Sequence, residues 1–133
     1  MKKLILILKV VAITLLLQNI LVAQTHSTLI FNEPSINNHY GYAIDNAGDV
    51  NGDGYSDIII GAPNTNFAKG NAYVYFGGTN MNTVRDIELT GQSQFTDFGI
   101  SVSGAGDVNG DGYDDVLIGA TGYNSGTGRV YIF

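Results

Sequence analysis

The chain has 133 residues, no Cys, and six basic against twelve acidic side chains, for a net charge of −6 at pH 7. Without Cys there is no disulfide framework. An acidic chain excludes a nucleic-acid role, because neutralising phosphates takes clustered Lys and Arg.

Lys2 and Lys3 open the chain, and residues 4–23 are mostly Leu, Ile and Val, broken by Lys9, Gln18 and Asn19. A short basic region, an apolar stretch and Ala23 ahead of a polar segment have the layout of a secretory signal. The expectation is cleavage after Ala23 and a secreted or extracellular, cell-surface protein with no membrane insertion afterwards. An uncleaved anchor is the competing reading, since about twenty apolar residues can span a bilayer; Lys9 and the Gln18-Asn19 pair weigh against it. With no Cys, lipid attachment at a lipobox is excluded. Residues 24–133 keep three basic side chains, Lys69, Arg85 and Arg129, against all twelve acidic ones. That length suffices for one domain of modest core.

The rest reads as strands and turns. Residues 27–31 look like a lone strand, and residues 41–47 alternate toward a polar loop. Residues 57–62, Asp-Ile-Ile-Ile-Gly-Ala, form a short apolar run suited to a strand buried on both faces. Residues 71–76 are a β-branched and aromatic strand. In residues 84–90, Val84, Asp86, Glu88 and Thr90 alternate with Arg85, Ile87 and Leu89. The series then repeats: strands at 99–105 and 115–120, a turn at Gly126-Thr-Gly128, and a strand at 129–133. No window outside the signal has a helical period. Eighteen Gly, many in Asn-Gly and Asp-Gly pairs, fit tight turns.

The two polar loops share one pattern, D-V-N-G-D-G-Y-x-D, at residues 49–57 and 107–115. Oxygen-bearing side chains stand at positions 1, 3, 5 and 9: Asp49, Asn51, Asp53 and Asp57, then Asp107, Asn109, Asp111 and Asp115. Gly at position 6 makes the sharp turn that aims the carbonyl of position 7, Tyr55 or Tyr113, inward. This suits calcium, a hard cation that takes six to eight oxygens. Without an ion the carboxylates repel, by roughly 4 kcal/mol for a pair ~4 Å apart at an effective dielectric of 20. An EF-hand is excluded, because its Glu at position 12 is replaced here by Ile60 and Ile118. Asp57 and Asp115 must therefore close the shell. The competing reading is a pair of metal-free Asp/Asn/Gly turns; two copies in the same register weigh against it.

The repeat extends well past the loops. At an offset of 58, residues 40–75 align with 98–133 without a gap, with 17 identities in 36 pairs. Leu29 and Phe31 likewise stand opposite Ile87 and Leu89. A fixed period of this size signals units that each bury a face against the next.

Phe98-Gly99, the following loop and Gly119-Ala120 together resemble the FG-GAP repeat of integrin α-subunit β-propellers. The first copy has Tyr40-Gly41 and a complete Gly61-Ala62-Pro63, while the second has Thr121 in place of Pro. The resemblance covers roughly residues 25–133. It implies an all-β fold of four-stranded antiparallel propeller blades, with calcium in the loop between the first two strands. The ligands carried over are the side chains at positions 1, 3, 5 and 9 with the Tyr55 and Tyr113 carbonyls, leaving Asp114 outside the shell. The domains expected are a signal at 1–23 and a repeat region at 24–133. Repeat one runs over about 25–82 and repeat two, incomplete, over about 83–133. A closed propeller needs about four to eight blades. Two blades imply either a piece of a larger propeller or self-assembly of copies, with the first lone strand completing the last, three-stranded blade of a closed ring.

The function expected is a calcium-binding module for adhesion or ligand binding, with a protein or glycan partner. The alternatives are a non-catalytic propeller part of a secreted polysaccharide- or lipid-active enzyme, or a structural scaffold. Catalytic patterns are missing. There is no G-x-S-x-G elbow, no Walker loop and no Cys nucleophile, and the G-x-G-x-x-G begun at Gly104 and Gly106 fails at Asn109. His26 and His39 lack metal-ligand spacing. Glu33, Asp45, Asp86, Glu88 and Asp97 could supply a carboxylate pair for glycoside chemistry, but solvated charge explains them more simply. Alternating Tyr73 and Tyr75 read as a strand packed between blades rather than a binding face, and an exposed aromatic cluster on one rim would favour binding.

Overall fold

A computed structural model describes residues 28–32 and 37–133. The signal expected at 1–23, His26 and Glu33 lie outside the described residues. Among those described, no helix is long and apolar enough to cross a membrane.

Among the described residues, seven strands form two antiparallel sheets. The first holds β1 (Ala43–Gly48), β2 (Asp57–Ala62), β3 (Asn71–Tyr75) and β4 (Ile87–Thr90), side by side in chain order. The second holds β5 (Phe98–Gly106), β6 (Asp115–Ala120) and β7 (Arg129–Ile132). This is the all-β, blade-like architecture the repeat predicts. The register sets the faces: Ile60 pairs with Tyr73 on one side of the first sheet, and Ile59 with Val74 on the other.

The two sheets stack through one apolar layer. Ile59, Ala72 and Val74 of the first sheet meet Phe98, Val116, Ile118 and Ala120 of the second. Phe98 is fully buried and packs edge-on against Tyr131, ring centroids 5.1 Å apart. A side chain of this size contributes about 1.5–3 kcal/mol by burial alone. The backbones approach closely as well: a Cβ on Gly61 would collide with the carbonyl oxygen of Gly99.

The far face of the first sheet carries a second cluster of Ile60, Ala62, Tyr73 and Tyr75, covered by Phe31, Tyr40 and Met81. Phe31 meets the Tyr75 ring edge-on at 4.7 Å, and the Tyr40 and Tyr75 hydroxyls are hydrogen-bonded at 2.7 Å. Tyr73 and Tyr75 are thus packing residues, as expected, but against the chain's own early segment rather than between the two blades.

Several boundaries differ from the expectation. Residues 28–32 are not in a strand; Phe31 contributes by side-chain packing, not by pairing at a sheet edge. The fourth strand begins at Ile87 rather than Val84, because Asp86 turns its carboxylate to the Phe76 amide at 2.7 Å. The short links Thr65–Ala68 and Tyr123–Gly126 are single turns, not right-handed helices. Asn66 and Phe67 in one, and Asn124 and Ser125 in the other, have left-handed φ values between 48° and 60°.

Candidate metal centre

Each nine-residue motif sits between the first two strands of its sheet, and both are launched the same way. Pairing slips between Asn46 and Gly48 in β1 and between Gly104 and Gly106 in β5, the same irregularity at the loop end of each strand; β5 has a second slip, between Phe98 and Ser101. A bulge ends regular pairing and bends the strand, which here delivers the chain into the loop. Gly54 and Gly112 at position 6 have φ of +87° and +94°, with open space where a Cβ would stand. Conformation, not crowding, therefore demands Gly there.

The predicted ligands fold inward around the loop backbone. In the first loop, Asp49 accepts the Asp53 amide at 3.0 Å and the Gly54 amide at 2.8 Å. Asn51 Oδ1 accepts the same Asp53 amide at 2.9 Å, so the oxygens of positions 1 and 3 converge on one N–H. Asp53 Oδ1 accepts the Tyr55 amide, and Asp57 accepts those of Val50 and Gly77. The second loop repeats the set. Asp107 accepts the Asp111 and Gly112 amides, Asn109 the Asp111 amide, Asp111 the Tyr113 amide and Asp115 the Val108 amide. The Tyr55 and Tyr113 side chains are exposed.

Asp57, 1% exposed, and Asp115 are buried. Burial pushes the Asp57 carboxyl above 3.8; the Gly77 and Val50 amides oppose that rise, and the Asp53 and Asp49 charges add to it. Asp57 therefore favours the fold below pH 3.8 and loses that contribution as pH rises through its raised value. Asp107 behaves oppositely. The Gly112 amide, with those of Gly110, Asp111 and Asn109, holds it below 3.8 against a desolvation effect. Its contribution is present above pH 3.8 and is lost as pH falls through the lowered value.

Among the described residues, no three acidic or histidine side chains are gathered into a ready-made cation cluster. The oxygens of positions 1 and 3 accept backbone N–H groups of their own loops. The donor set nonetheless fits a hard cation: every candidate atom is oxygen, and all belong to one short loop. Asp45 accepts the Ser103 hydroxyl, Asp86 the Phe76 amide, and Glu88 lies 3.2 Å from Arg85. His39 stacks on Tyr42, centroids 6.4 Å apart.

Sequence reasoning set Asp114 aside. In the structure its carboxylate accepts the Asp49 amide of the other loop at 2.8 Å. The one sequence signal is that position 8 is where the two motifs differ, Ser56 against Asp114.

A family model described as the FG-GAP repeat matches residues 40–75 and 98–133. Integrin alpha-5 of Xenopus laevis is 35% identical over 112 residues, covering 77% of this chain and 11% of that protein. Integrin alpha-6 of Homo sapiens is 39% identical over 109 residues, 78% of this chain and 9% of that protein. Integrin alpha-PS3 of Drosophila melanogaster is 32% identical over 111 residues, 80% of this chain and 10% of that protein. The chain spans about a tenth of the length of the curated relatives it matches.

Proposed function

The chain belongs to the FG-GAP repeat family, and from that premise we propose that it is a secreted or cell-surface, calcium-binding propeller module for adhesion or ligand binding, without catalysis. The observation that carries the calcium reading is the matched fold of the two loops, in which positions 1 and 3 turn their oxygens to one point. Asp49, Asn51, Asp53, Asp57 and the Tyr55 carbonyl would hold one ion. Asp107, Asn109, Asp111, Asp115 and the Tyr113 carbonyl would hold the other. Bound calcium supplies charge neutralisation and a cross-link between loop positions. Asp57 reports on it directly. Followed by carboxyl NMR shift, it is expected to titrate above 3.8 in EGTA, chiefly because it is buried, and lower in calcium than in EGTA, because a bound cation favours the charged carboxylate. A titration midpoint that calcium does not move would count against an ion at that loop.

The ligand-binding part rests on the integrin relatives and on the opposite end of the first sheet. There Phe67 and Phe95 are 74% and 68% exposed, with φ of 60° and 59°. The Phe95 amide donates to the Phe67 carbonyl at 3.3 Å, tying the two loops together. Exposed aromatics held on fixed backbone, and absent from both apolar clusters, suit contact with a partner. The expected partner is a protein or a glycan. Screening the chain in calcium on an array of extracellular-matrix proteins and glycans should find one. Phe67→Ala with Phe95→Ala should then cost about 2 kcal/mol of binding and under about 0.5 kcal/mol of stability. Undiminished affinity in the double variant would move the binding surface elsewhere.

A further inference from the structure

We propose that Asp114 is a positioning residue that couples the two loops, so that a cation in one strengthens binding in the other. This rests on the calcium reading above. Asp114 stands between Tyr113 and Asp115, positions 7 and 9 of the second loop, yet its hydrogen bonds go to the first. Its carboxylate accepts the Asp49 amide at 2.8 Å, and its own amide donates to the Asp49 carbonyl at 3.0 Å. Both backbone polar groups of a position-1 ligand are thus held by the neighbouring loop.

The fit is tight. A Cβ on Gly48 would collide with the Asp114 side chain, and one on Gly52 would stand 2.8 Å from Tyr113 Cε1. The same two positions of the second loop, Gly106 and Gly110, meet nothing within 4 Å. The crowding is therefore a property of the contact between the loops rather than of the motif. The latch therefore runs from position 8 of the second loop to position 1 of the first. Drawing Tyr113 and Asp115 toward an ion moves the residue between them, and with it Asp49. Coupling of this kind is reciprocal and typically 5–150-fold.

The test is calcium titration of the full chain by calorimetry. Silencing the second loop with Asp111→Ala is expected to weaken the first about tenfold. In an Asp114→Ala background the same silencing should change first-loop affinity less than about twofold. Asp114→Asn, which keeps an acceptor oxygen, should retain most of the coupling. In EGTA, the Asp49 amide should exchange faster in Asp114→Ala than in the unaltered chain. Calcium binding whose coupling ignores Asp114 overturns the proposal and leaves the calcium reading intact. No calcium binding at all overturns the reading beneath it. Unchanged Asp49 exchange in EGTA overturns the latch itself, in a readout that needs no metal.

Discussion

Transfer from calcium to EGTA is expected to lower the melting temperature by roughly 20 °C. A ligand that binds only the folded state, at a hundred times its dissociation constant, stabilises by about 2.7 kcal/mol. Two loops give about 5 kcal/mol, and each kcal/mol is worth roughly 4 °C in a domain of this size. Asp111→Ala separates the ion from the loop. Asp111 is exposed, and its Oδ1 takes the Tyr113 amide at 3.0 Å. In EGTA its removal should cost about 1 kcal/mol or less, the worth of one exposed hydrogen bond. In calcium the same change should cost about 2.7 kcal/mol or more, because a whole site is lost. Thermal unfolding of both proteins in both buffers gives the four numbers required. Equal losses with and without calcium would remove the metal from this loop.

Local regularity made most of this architecture legible. The apolar runs at β2 and β6 and the repeat at an offset of 58 fixed seven strands and both loops to within a few residues. What stayed hidden depends on partners far along the chain. Nothing near Phe31 says that it will lie on Tyr75 instead of pairing as a strand. Asp86 fits an alternating strand by pattern, but its carboxylate satisfies the Phe76 amide and delays the strand by three residues. Asn66, Phe67 and Ala68 all take positive φ, although none is Gly. Their conformation is supported by loop-to-loop bonds such as Phe95 N–H to Phe67 C=O and Asp97 N–H to Ala68 C=O. Asp114 is the same case at the candidate metal centre. Its spacing excludes it from its own loop, and only the stacking of the two sheets brings it to the other one.

Gly61→Ala is expected to destabilise the protein by about 3 kcal/mol, and Gly119→Ala by less than about 1 kcal/mol, although the two glycines occupy the same place in the repeat. Neither has a left-handed φ, so backbone strain does not distinguish them. Their neighbours do. Gly61 faces the Gly99 carbonyl of the second sheet, a backbone atom that cannot move without separating the sheets. Gly119 faces the Ser101 hydroxyl, the end of a side chain that can rotate away. Gly61 is also fixed from its own side, since its carbonyl accepts the Gly41 and Tyr42 amides at 3.1 and 3.2 Å. The Gly of the Gly-Ala pair in one repeat thus meets the Gly after the aromatic residue twice, by hydrogen bond within its blade and by close approach in the next. Two glycines set about twenty residues apart in the motif are required because stacked blades bring their backbones together there. Urea denaturation should show the Gly61→Ala loss equally in calcium and in EGTA, which sets it apart from Asp111→Ala. Similar losses for Gly61→Ala and Gly119→Ala would mean that the two sheets do not meet at that seam.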